Sequence, residues 1–160
     1  METYGFDRPI AFSALGPSTL DRFSIMPYTS PVPTATKTSI LIIEDDAHFR
    51  ESLIDAMAIK GVEARGVSSG AEALRTLENV TPSLIVMDVQ LPDHHGFDLC
   101  RKIKRNAKFQ SVPVVFLSAR FTEPGDRAEG LLAGAEAYLC KPVSMDALWD
   151  EIHYLLDKEA

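Results

Sequence analysis

Carboxylates and one lysine close three of the apolar runs in this chain: Glu44, Asp45 and Asp46 follow Ile40 to Ile43, Asp88 follows Leu84 to Met87, and Lys141 follows Ala137 to Cys140. Two unit charges about 5 Å apart at an effective dielectric of about 20 repel by roughly 3 kcal/mol, so several carboxylates sharing one cleft call for a cation. Mg²⁺ suits them, because it is a hard ion that takes oxygen ligands and keeps waters that a phosphate can replace. Asp45 and Asp88 are candidates for direct ligands, Glu44 for a direct or water-mediated one, and the turn-rich segment after Asp88 can lift the Gln90 backbone carbonyl toward the ion. Lys141, just ahead of Pro142, offers a point charge to a phosphoryl oxygen. Ser118, at the end of Val114 to Leu117, adds a hydroxyl. Together these groups suit attack by the Asp88 carboxylate on a phosphoryl group, with the product an aspartyl phosphate. Singly they would read as an acidic helix start, a surface lysine and a turn serine. The signal is their joint placement at strand ends.

The elements that must position them follow from periodicity. From Ser39 onward five short apolar runs alternate with helix-period segments, which predicts an α/β protein with a five-stranded parallel sheet. The runs are Ile40 to Ile43, Val62 to Val67, Leu84 to Met87, Val112 to Leu117 and Ala137 to Cys140. The second run alternates apolar and polar residues, as an edge strand with one wetter face does. With right-handed crossovers the doubly wound order is 2-1-3-4-5, and the crevice opens at the carboxyl ends of strands one and three, where Glu44, Asp45 and Asp88 stand. The expected inward stripes are Phe49, Leu53, Ala56 and Met57 on helix one and Ala71, Leu74 and Leu77 on helix two. Helix three offers Leu99, Cys100 and Ile103, helix four Ala128, Leu131 and Leu132, and helix five Leu148, Ile152, Leu155 and Leu156. Asp46 and Ser144 are expected helix caps.

Residues 1–38 differ in being rich in Pro, Ser and Thr, which predicts a flexible extension or linker ahead of a domain over 39–160. Tyr4, Phe6, Phe12, Phe23 and Tyr28 also suggest docking, and a part in partner choice or homodimerisation. The formal charge of −7 over 160 residues speaks against direct nucleic-acid binding and for a protein partner. No run reaches the roughly 20 apolar residues of a membrane span, and a cytoplasmic protein without membrane insertion is expected. Cys100 and Cys140 lack metal-site spacing and are expected to be buried free thiols. His94 and His95, adjacent on one loop, are expected to be exposed rather than to converge on an ion.

Four segments, Ile-Leu-Ile-Ile-Glu-Asp-Asp, Met-Asp-Val-Gln-Leu-Pro-Asp, Phe-Leu-Ser-Ala and Tyr-Leu-Cys-Lys-Pro, resemble the receiver domain of two-component response regulators in order, spacing and strand context. The resemblance covers residues 39 to about 157 and implies the flavodoxin-like fold. It implies Asp88 as phosphoacceptor, Glu44 and Asp45 as the acidic pair, Ser118 as switch hydroxyl, Tyr138 as switch aromatic and Lys141 as the phosphoryl-binding lysine. The donor would be a histidine kinase or histidine phosphotransfer protein, and the output the face of helix 4, strand 5 and helix 5. Gln90 and Arg120 fall at the flanking positions that influence phosphate lifetime in this family. The chain ends soon after helix five, so a stand-alone receiver is expected, acting as a phosphorelay shuttle or protein-binding switch and not as an enzyme with turnover. Two rivals are a haloacid dehalogenase-type phosphatase and a non-phosphorylated interaction module on the same scaffold. The phosphatase would need a second acid two residues after the nucleophile on the first strand, and Asp88 on the third strand fits that poorly.

Overall fold

The computed structural model describes residues 37–120 and 123–158. Five strands and five helices alternate: β1 (Ser39–Ile43), α1 (Ala47–Ile59), β2 (Glu63–Val67), α2 (Gly70–Asn79), β3 (Leu84–Asp88), α3 (Gly96–Lys104), β4 (Val114–Ser118), α4 (Pro124–Leu132), β5 (Ala137–Cys140) and α5 (Met145–Lys158). All strand pairs are parallel and the order is β2-β1-β3-β4-β5, as the alternating pattern predicts. β1, β3 and β4 are almost wholly buried because helices cover both faces of the sheet, whereas β2 lies at the edge and alternates in exposure.

Side chains of successive strand residues point to opposite faces, so the sheet divides the core in two. Ile40, Ile42, Leu84, Val86, Val115 and Leu117 pack with Leu53 and Met57 of α1 and Leu148, Ile152 and Leu155 of α5. Leu41, Ile43, Ile85, Met87, Val114 and Phe116 pack with Ala73 and Leu77 of α2, Leu99 and Ile103 of α3 and Ala133 after α4. Each fully buried branched or aromatic side chain contributes about 1.5–3 kcal/mol, and the two layers fix the strand ends on which the acids stand. Asp46 caps α1 by accepting the Phe49 N–H at 2.8 Å, and the Ser144 Oγ accepts the Ala147 N–H at 3.1 Å before α5.

Ala128, Leu131 and Leu132 of α4, expected to face inward, are exposed; the buried residue of that helix is Gly130, because the Tyr138 ring fills the space beneath it. On α2, Ala71 is exposed and the inward face runs through Gly70, Ala73, Thr76 and Leu77. Cys140 is exposed, being the last residue of an edge strand, while Cys100 is buried and its thiol is pushed up to about 11 by desolvation. β4 begins at Val114, since Val112 closes a turn onto Phe109 and Pro113 has no N–H for the ladder. Residues 1–36, with the aromatic positions expected to dock, lie outside the described residues.

Candidate functional site

β1 ends by passing its ladder on: the Glu44 N–H donates to the Val67 carbonyl at 3.0 Å, which buries Glu44 and leaves Asp45 exposed beside it. The Arg50 guanidinium reaches back from α1 to the Glu44 carbonyl at 2.6 Å and the Asp45 carbonyl at 3.4 Å, pinning this turn. It passes over Gly66 of β2, where an added Cβ would come within 2.8 Å of the Arg50 and Ile54 side chains.

Asp88 ends β3, next to Leu117 in register. One of its carboxylate oxygens, Oδ1, accepts the Gln90 N–H at 2.8 Å, and the other, Oδ2, lies 2.8 Å from the Lys141 ammonium. Lys141 also reaches the Glu44 Oε2 at 2.7 Å, so a single cation joins the ends of β1 and β3 from the end of β5. Its own backbone is tied down, with the Lys141 N–H donating to the Ser118 carbonyl at 2.7 Å and a cis peptide joining it to Pro142.

Carboxylate oxygens of Glu44, Asp45 and Asp88 all fall within 4.8 Å of one another. Burial raises the Glu44 pKa, and the hydrogen bond from Lys141 only partly offsets this. Burial also acts to lower Lys141, but its hydrogen bonds to Asp88 and Glu44 prevail and hold the ammonium above its ordinary value. Three carboxylates thus gather around the Lys141 ammonium, with Glu44 buried and Asp45 open to solvent, and an all-oxygen donor set of this kind fits Mg²⁺. Beside it opens a cleft of about 250 Å³ whose walls include Asp45, Asp88, Gln90, Ser118 and Arg120.

Ser118 is buried at the end of β4, and its Oγ accepts the Arg120 N–H at 3.4 Å. Tyr138 on β5 is buried too, its ring 6.0 Å from that of Phe116 and 6.3 Å from that of Phe97. Burial raises the Tyr138 phenol, opposed by a hydrogen bond with the Ser118 side chain. The hydroxyl and the aromatic expected from the sequence are thus joined, with the ring turned inward.

A profile of the response regulator receiver domain matches residues 40–153 of the chain. The chain belongs to that family. This receiver is 39% identical over 123 residues to the transcriptional regulatory protein GltR of Pseudomonas aeruginosa, across 77% of the chain and 50% of that relative. To the response regulator Rre1 of Synechocystis it is 33% identical over 126 residues, 78% of the chain and 54% of the relative. The chain therefore spans about half the length of the curated relatives it matches. Among solved structures, the signal receiver domain of a histidine kinase from Syntrophus aciditrophicus superposes with a TM-score of 0.70 at 31% identity, covering 76% of this chain and 91% of that one. A CheY-like receiver domain protein from Methanospirillum hungatei gives 0.71 at 27%, covering 76% and 94%.

Other residues shape the receiver site without a sequence signal that points to them. Asp93 accepts the Gly70 and Ala71 N–H groups at 2.9 and 2.8 Å, so the loop after β3 caps α2. The His94 Nδ1 lies 3.1 Å from the Asp93 Oδ2, and the ring occupies the space a Cβ on Gly70 would take. His94 is therefore half-buried, a correction to the exposed loop residue expected. His95 is exposed and accepts the Phe97 N–H at 3.3 Å through Nδ1, capping α3. No helix among the described residues is long and apolar enough to cross a membrane.

Proposed function

We propose that this receiver is the phosphoacceptor of a two-component pathway, taking a phosphoryl group onto Asp88 from a histidine kinase or histidine phosphotransfer protein. The observation that carries the proposal is Lys141 Nζ between Glu44 at 2.7 Å and Asp88 at 2.8 Å, with Asp45 in the same oxygen cluster at the mouth of a cleft. An Asp88 carboxylate oxygen bonds to phosphorus as the donor's P–N bond breaks, and the electron pair leaves with the histidine ring nitrogen. Glu44, Asp45, Asp88 and the Gln90 carbonyl would hold Mg²⁺. When bound, the ion neutralises charge on the phosphoryl oxygens.

Lys141 exchanges its contact with Asp88 for a phosphoryl oxygen while keeping Glu44, so its charge is never left unpaired. The Ser118 hydroxyl turns to the phosphoryl group and gives up its bond with Tyr138, which couples chemistry at β3 to the α4, β5 and α5 face. On that face Leu131, Leu132 and Tyr154 are exposed and available to a protein partner. In this reading the chain acts in the cytoplasm as a phosphorelay shuttle or protein-binding switch, and its net charge of −7 favours proteins over nucleic acid as direct partners.

The test is incubation with acetyl phosphate and Mg²⁺. The native chain gains about 80 Da, the mass of one phosphoryl group, as an acid-stable, base-labile adduct, and Asp88→Asn gains nothing. Equal uptake by Asp88→Asn overturns the site. Release of phosphate from small phosphomonoesters over many cycles would favour the phosphatase rival instead.

A further inference from the structure

The Lys141 ammonium has three hydrogens, and the carboxylates of Glu44 and Asp88 account for two. A further side is covered by an aromatic face: the Phe49 ring centroid lies 4.5 Å from Nζ. Phe49 stands in the first turn of α1, half-buried against the core layer that α1 and α5 share. Its backbone N–H is held at 2.8 Å by the Asp46 carboxylate. Asp46, the acid of the triplet that takes no part in the oxygen cluster, thereby fixes the turn that aims the ring.

A cation within about 6 Å of a ring centroid is attracted by the ring's quadrupole, and more strongly where water is scarce. The Lys141 side chain is only 18% exposed. An aromatic face is not a directional partner, so the ammonium can swing from Asp88 to a neighbouring oxygen without leaving it. The ring also binds no proton and no hard cation, so it does not compete with the carboxylates.

We propose that Phe49 is a positioning residue for phosphoryl capture, its ring face holding the Lys141 ammonium in the site as that ammonium passes from Asp88 to the incoming phosphoryl group. This role rests on the reading of Asp88 as acceptor, and the experiment separates the two. In the full chain, position 49 is replaced by mono-, di- and trifluorophenylalanine, which keep the shape and progressively weaken the quadrupole. Phosphorylation is timed with acetyl phosphate and Mg²⁺.

The rate falls in steps across the series, by about three- to tenfold at the trifluoro member and in Phe49→Leu, while Phe49→Tyr stays within about twofold of native. A merely structural ring would give a flat series. In the unphosphorylated chain the Lys141 Hε resonances lie upfield through the ring current and lose that displacement in Phe49→Leu. A native chain that takes phosphate while the fluorinated series stays flat, or Lys141 resonances without the displacement, overturns the role of Phe49 alone. A native chain that takes up no phosphate overturns the acceptor reading, and the role in capture falls with it.

Discussion

Gly130→Ala should disturb the inward position of Tyr138 at a cost that the structure lets one bound. A Cβ at position 130 would lie 2.7 Å from the Tyr138 Cδ2, 3.0 Å from its Cε2 and 3.1 Å from the Phe97 Cε1. If the ring stays, overpacking of this kind costs about 1–3 kcal/mol. Replacing glycine inside a helix returns about 1 kcal/mol, which leaves a net loss of about 0–2 kcal/mol. If the ring is expelled, its burial and the hydrogen bond with Ser118 are lost, together worth about 2–4 kcal/mol, and the same helix gain leaves about 1–3 kcal/mol. The variant is therefore no more stable than the native chain and loses up to about 3 kcal/mol, at about 3–6 °C in Tm per kcal/mol for a domain of this size. Thermal unfolding gives the stability, and aromatic NMR of Tyr138 shows whether the ring has moved. The sharpest form is a double-mutant cycle: in a Tyr138→Ala background the same Gly130→Ala change should become stabilising, by up to about 1 kcal/mol, because the nearer obstacle is gone and only the Phe97 Cε1 at 3.1 Å remains to give way. A Gly130→Ala variant with a raised Tm and unchanged Tyr138 resonances would show that the Tyr138 ring does not fill the space at position 130.

Asp93→Ala removes the acceptor for two N–H groups at the start of α2 and should cost about 1 kcal/mol in urea unfolding, with faster hydrogen exchange at Gly70 and Ala71; unchanged exchange there would contradict the cap. Lys141 contributes to stability with a definite pH signature. Its folded pKa lies above 10.5, so its contribution is complete below 10.5 and is lost as pH rises through the folded value. The gap in urea midpoint between native chain and Lys141→Met should therefore hold up to pH 10.5 and narrow above it. A gap that widens in alkali would contradict the pairing.

The sheet was legible in the sequence because strands covered on both faces must be continuously apolar, and Leu84 to Met87 or Val114 to Leu117 have few other uses. Glu44, Asp45, Asp88, Ser118 and Lys141 could be placed because a parallel sheet brings strand ends together whatever the loops do. The face of α4 was not legible. Apolar spacing marks Leu131 and Leu132 as inward, but the element beneath is an aromatic ring that leaves room only for Gly130, and the leucines turn to the surface. The Asp93 cap on α2 spans 22 and 23 residues, and the Phe49 ring meets Lys141 from a different element, so neither has a local signature. Contacts of this kind appear only when the fold is known.

Asp88 is the residue expected to become the acyl phosphate. Borohydride converts an aspartyl phosphate to homoserine, so reduction after treatment with acetyl phosphate and Mg²⁺, followed by peptide sequencing, names the acceptor directly. Homoserine is expected at position 88, dependent on both phosphodonor and Mg²⁺. Homoserine at another acid, or none in a chain that has gained the mass of a phosphoryl group, would contradict it.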